Sequence, residues 1–128
     1  MTTQTTRGVM VSVESFYQEQ YSNPLENQFL FAYRVRIVNH NDYAIQLKRR
    51  HWFITEMDGS RREIEGEGVV GRQPVLTAEQ RHEYVSGCNL DSPVGKMHGI
   101  YLFERLHSGM EFEVVIPEFV LQAPAILN

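Results

Sequence analysis

Residues 28–38 read Gln28-Phe29-Leu30-Phe31-Ala32-Tyr33-Arg34-Val35-Arg36-Ile37-Val38. Phe29, Phe31, Tyr33, Val35 and Ile37 fall on alternate positions. Leu30, Ala32, Arg34, Arg36 and Val38 fall between them. A helix would scatter these large side chains around its circumference, whereas a strand gathers them into one wall. The stretch is predicted as a strand with one buried face, ended by the turn Asn39-His40-Asn41-Asp42.

The same two-residue period extends outward in both directions. Upstream, Val9, Val11 and Val13 share a side opposite Met10, Ser12 and Glu14, and Tyr21 to Glu26 reads as a loop. Downstream, the segment 43–57 changes phase. Tyr43, Ile45 and Leu47 are odd-numbered, but Trp52 and Ile54 are even. One inserted residue, a β-bulge within Lys48-Arg49-Arg50-His51, returns both sets to one face. Asp58-Gly59 supplies hairpin-turn chemistry. His82, Tyr84 and Ser86 mark a further strand. A long connection punctuated by Ser86-Gly87, Asp91-Ser92-Pro93 and Gly95 is expected after it. One closing strand holds Gly99, Tyr101 and Phe103. The other holds Met110, Phe112, Val114 and Ile116 and is expected to end at Pro117, with Phe119-Val120-Leu121 as a last extended piece.

No stretch shows a convincing helical period. About seven short strands at turn-separated spacing indicate an all-β antiparallel sandwich or a barrel. Trp52 stands where immunoglobulin-like domains keep a buried tryptophan. Phe31, Tyr33, Val35, Trp52, Tyr101, Phe112 and Val114 are expected between two sheets. Residues 1–7 are read as a frayed polar end, 8–122 as one domain and 123–128 as a tail.

The chain has 128 residues and a mass of 14.9 kDa, room for one ordinary domain. Its 42% apolar and 22% charged residues are those of a folded protein. A formal charge of -4 counts against a general nucleic-acid binder, whose affinity rests on cationic contacts to phosphate. No apolar run approaches the ~20 residues of a membrane span. Met1 to Arg7 lacks the apolar core of a secretory signal. A cytoplasmic protein without direct membrane insertion is the expectation.

Candidate chemistry is sparse. Gly66-x-Gly68-x-x-Gly71 fits the dinucleotide fingerprint as a string, but that fingerprint works only where a helix opens at the glycines. Here Arg72-Gln73-Pro74 and the β-prone Val75-Leu76 follow. A weaker reading keeps Gly66, Gly68, Gly71 and Arg72 as an anion- or partner-binding loop, in which a nest of amides and the Arg72 charge capture a phosphate. The loop is expected to be an exposed connection with at least one glycine at positive φ. His40, His51, His82, His98 and His107 lack metal-site spacing. Cys88, the single cysteine, reads as a small loop residue without a nucleophile signature. No catalytic residue, metal or cofactor is assigned. Lys48-Arg49-Arg50 and Arg61-Arg62 flank one hairpin. They read as a solvated face partnered by Glu63 and Glu65, or as a surface for an acidic protein partner.

An ordered series of short motifs adds a resemblance. It comprises Phe31-Ala32-Tyr33 with Ile37-Val38-Asn39; Arg50-His51-Trp52-Phe53-Ile54-Thr55; Gly66 to Gly71 with Pro74 and Leu76; Tyr84-Val85-Ser86-Gly87; Pro93 and Gly95 with Met97, Gly99 and Tyr101; and Phe112-Glu113-Val114 with Ile116-Pro117-Glu118-Phe119. Across residues 9–122 the chain resembles the ApaG family. The resemblance implies a fibronectin-type-III-like sandwich and a non-catalytic interaction module of poorly defined role. It also implies a genetic link to cobalt and magnesium homeostasis, as an accessory factor in cation efflux. Thr77-Ala78-Glu79 departs from the Pro-Gly turn common in the family. The expected partner is another protein, with a weak homodimer through edge strands. The alternative is a nucleotide or pyrophosphate sensor using the glycine loop.

Overall fold

The computed structural model describes residues 1–124. The part of the expected tail at 125–128 lies outside the described residues. Nine strands follow in order: β1 Thr2–Thr6, β2 Val9–Tyr17, β3 Phe29–Asn39, β4 Ile45–Glu56, β5 Arg61–Glu67, β6 Val75–Leu76, β7 Arg81–Leu90, β8 Val94–Arg105 and β9 Glu111–Gln122. One sheet has the order β1-β2-β3-β7 and the other β5-β4-β8-β9, with β6 paired to β4. All pairings are antiparallel. The two sheets form a sandwich, one of the two architectures that the alternation indicates, and it is of the immunoglobulin/fibronectin-type-III-like kind that the resemblance implies.

The inner walls are the predicted ones. Phe31, Tyr33, Val35, Trp52, Tyr101, Phe112 and Val114 are all buried. Trp52, only 2% exposed, sits edge-on to Tyr33, Tyr101 and Phe119 at centroid separations of 5.3, 6.4 and 5.9 Å. The bulge is present: Leu47 faces Phe103 and Arg49 faces Leu102, so Lys48 is the extra residue. Asn39 is fully buried. Its Nδ2 donates to the carbonyls of Tyr43 and Leu76 at 2.9 and 3.0 Å, and its Oδ1 accepts from the Asn41 amide at 3.0 Å. This one side chain ties the end of β3 to β6 in the opposite sheet.

Four expectations are corrected. Residues 2–6 are not frayed; they pair with Val9–Val13 through a turn at Arg7-Gly8. Threonine is β-branched and suits an edge ladder even without an apolar face to bury. Second, Ser86-Gly87 does not open a long connection. β7 runs through it to Leu90, and only Asp91-Ser92-Pro93 separates it from β8. Cys88 is therefore a buried strand residue rather than a loop residue. Third, β9 passes through Pro117. The register moves from Met97↔Phe119 to Gly99↔Ile116, which places the proline at a bulge where its missing amide breaks no ladder bond. Fourth, Met110 precedes β9 and is exposed instead of facing the core. The strand count is nine rather than about seven because β1 and the two-residue β6 carry no periodic apolar signal.

Candidate functional site

β5 and β7 end their respective sheets on the same side of the sandwich. The core is not covered there by a strand. Arg62 of β5 bridges the gap at one end, donating to the Asn89 carbonyl of β7 and lying 3.5 Å from the Cys88 sulfur. The glycine loop closes the other end. Between them lies a cavity of about 320 Å³, lined by Tyr33, Trp52, Tyr84, Ser86, Arg50 and Val69, with Val70 and Val85 beside it.

The loop is built from the residues singled out in the sequence. Gly66 belongs to β5, opposite Arg50. A Cβ at Gly66 would lie 2.9 Å from the Arg50 guanidinium, so glycine is what lets that side chain cross the strand. Gly68 has φ +63, and any Cβ there would overlap the Arg72 carbonyl. Val69 and Arg72 exchange amide–carbonyl bonds of 2.8 and 3.0 Å around Val70 (φ 47) and Gly71 (φ 75). Two central residues at positive φ make a type I′ turn. No helix opens here. The loop is less exposed than expected, since Gly68 and Val69 are buried while Val70, Gly71 and Arg72 are exposed. The amides of Gly68, Val69 and Arg72 already donate to Lys48, Arg72 and Val69 carbonyls.

Sequence reasoning placed Arg50 with Lys48 and Arg49 on a basic hairpin surface and missed that its side chain turns inward. Because Lys48 is the bulge, Arg50 pairs with Tyr101 and lies on the same inner face as Trp52. Its Nη1 donates to the Glu67 and Gly68 carbonyls at 3.0 and 3.1 Å. Arg49 instead points outward, 3.9 Å from Glu65, as a solvated hairpin face requires. The phase change between Leu47 and Trp52 was the available signal: placing the bulge at Lys48 sends Arg50 inward. On the facing sheet, the Tyr84 hydroxyl hydrogen-bonds that of fully buried Tyr101. Burial pushes both hydroxyls far above the usual phenol range. Tyr33 is raised mainly by burial too, with Ser86 and Arg50 opposing.

A family model described as the ApaG domain (DUF525) matches residues 19–105 of this chain. The chain belongs to the ApaG family. It is 47% identical over 124 residues to a protein ApaG of Paramagnetospirillum magneticum, covering 97% of this chain and 95% of that one. It is 41% identical to a protein ApaG of Rhizobium meliloti, covering 96% and 94%. The crystal structure of a Bordetella pertussis protein named ApaA superposes with a TM-score of 0.88 at 42% identity, covering 92% of this chain and 95% of that one. The C-terminal domain of wzt shares only the fold, at a TM-score of 0.58 and 7% identity.

The other chemistry-bearing residues of this ApaG chain are dispersed. His40 meets Glu79 at 2.9 Å and His51 meets Glu63 at 3.0 Å. His98 stacks on Phe53, and His107 lies against Tyr43. Among the described residues, no three His, Cys, Asp or Glu side chains converge as a metal site would need. Burial pushes the Cys88 thiol up, with Arg62 opposing, so the thiol form is favoured over the nucleophilic thiolate. His82 is lowered, first by burial and then by the positive charge of Arg72. Arg72 is thus a neighbour of His82, and it does not line the cavity.

Proposed function

We propose that this ApaG-family chain is a non-catalytic, cytoplasmic protein-interaction module that captures an extended segment of a partner protein along the free edge of β7. The observation that carries the reading is the hydrogen-bond direction along that strand. Asn39 of β3 bonds to Gln80 and Glu79 just before β7, at 3.0 and 2.7 Å. In an antiparallel pair the bonding positions recur every second residue. His82, Tyr84, Ser86 and Cys88, opposite Ile37, Val35, Tyr33 and Phe31, therefore bond to β3. Arg81, Glu83, Val85 and Gly87 turn their amides and carbonyls away from it. The bond from Arg62 to the Asn89 carbonyl fits this alternation.

Unpaired edges recruit extended chains. Val85 is 59% exposed on this edge and Val70 is 61% exposed beside it. The same edge supports a weak homodimer, in which β7 of one copy pairs with β7 of another. Among the described residues no helix is long and apolar enough to cross a membrane. A role in cation efflux therefore requires a partner, consistent with a module of this kind.

The test is affinity capture from the source cell with the full chain and with Val85→Pro. The substitution removes an outward amide and leaves the β3 ladder intact. The expected result is loss of the captured proteins with retained Trp52 fluorescence and cooperative melting. Equal capture by both chains refutes edge binding.

A further inference from the structure

We propose that the cleft between β5 and β7 receives a carboxylate, the side chain of an Asp or Glu carried by the captured segment, and that Arg50 is the group that holds it. The inference rests on the edge-binding reading and adds the chemistry of the occupant.

Arg50 is a half-buried cation lacking a counter-charge. Among the described residues no carboxylate lies within 4.0 Å of its guanidinium. Its two carbonyl bonds, both through Nη1, fix the plane of the group. Among the described residues Nε and Nη2 have no acceptor, and Arg50 lines the cavity beside them. A partly desolvated cation gains most from a carboxylate, whose two oxygens match the guanidinium fork. The flanking charges agree. Glu67 borders the cavity, but its pairing opposite Arg49 directs its side chain to the outer face of the sheet. Arg72 adds positive charge near His82 at the same end of β7.

The direction of approach follows from the sheet. A strand added to the outward groups of Arg81, Glu83, Val85 and Gly87 continues the plane of β7. Every second side chain of that strand then points the way Tyr84 and Ser86 point, into the cleft. The floor under it is aromatic: Trp52, Tyr33 and Tyr84. The rim carries a strained residue. Val70 is β-branched and left-handed, a conformation that Asn or Gly adopts at far less cost. Strained backbone with an exposed apolar side chain, at the mouth of a cavity that also holds an unpaired cation, is an arrangement typical of a binding site.

The experiment selects short random peptides on the full chain by display and titrates them by fluorescence of Trp52, the single tryptophan and part of the cleft floor. Selected peptides are expected to share one Asp or Glu at a fixed position. Replacing it by Asn or Gln should weaken binding to the wild type by about tenfold or more, as for a hydrogen-bonded charge pair. On Arg50→Gln that preference should vanish. Arg50→Lys keeps the charge but loses the fork, and covers the case in which Arg50→Gln fails to fold; it should reduce the preference by about threefold. Val70→Asn should melt higher yet bind more weakly. Peptides without a shared acid, an acid preference that survives both Arg50 variants, or no peptide binding tighter than about 1 mM overturns the proposal. Binding that needs the acid but ignores Val85→Pro discards the edge reading and keeps the carboxylate site. Binding lost on Val85→Pro without acid dependence does the reverse.

Discussion

Trp52 and Arg50 stand two residues apart on one face of β4 and serve opposite ends. Trp52 is enclosed by Tyr33, Tyr101 and Phe119, so truncation leaves a large void. Trp52→Ala is expected to cost ~3–5 kcal/mol in urea unfolding. Arg50 crosses Gly66 to reach the loop carbonyls, and Nη2 and Nε are the atoms proposed to hold a carboxylate. Two titrations should be visible at this scale. Burial raises the Tyr84 and Tyr101 hydroxyls, so above about pH 10 the unfolded chain has lost protons that the native state keeps. Stability should fall as pH rises through that region, with ultraviolet difference absorbance showing these phenols ionising only as the chain unfolds. Early ionisation in the native state would contradict the buried pair. His82 is depressed, so below about pH 6.5 the unfolded chain binds the proton more readily. Stability should decline as pH falls from neutrality until the native ring also protonates, and His82→Gln should flatten that slope in urea midpoints.

At the scale of elements, the glycine loop separates two kinds of glycine. Gly71 sits at positive φ in open space, and Gly71→Ala should cost about 1 kcal/mol from backbone strain alone. Gly68 adds a clash with the Arg72 carbonyl, so Gly68→Ala should cost clearly more in the same unfolding assay. Val70→Gly reverses the sign and should stabilise by several tenths of a kcal/mol or more. The strand at 28–38 was legible because a two-residue period needs only hydrophobicity to be seen. β1 was not legible, because a Thr-rich edge strand is held by its pairing with β2 and by contacts such as Thr3 Oγ1 to Ser12 Oγ at 2.9 Å. The run of β9 through Pro117 was hidden for a related reason. A proline reads as a stop until a bulge in the ladder is seen to accommodate it.

At the scale of the molecule, each sheet ends in one strand on the side of the cleft, while β9 on the other side is covered by β1 and β2. The Val115 amide donates to Thr6 Oγ1, and the Ser15 hydroxyl donates to the Val120 carbonyl. Association should therefore use the β7 side. Sedimentation of the full chain is expected to show weak, concentration-dependent dimers that Val85→Pro abolishes; dimers indifferent to that substitution would place the contact elsewhere. The strands with one buried face, the bulge before Trp52, the aromatic core and the family resemblance could all be read from residue order, because alternation and residue type are local properties. The sequence also carried the glycines at 66, 68 and 71 without saying what they serve. Strand pairing was needed to see that Gly66 makes room for Arg50, that Cys88 is walled into β7, and that β5 and β7 leave a cleft between them. Each of these depends on which strands become neighbours and which edges stay unpaired, and pairing is fixed by contacts between residues far apart in the chain.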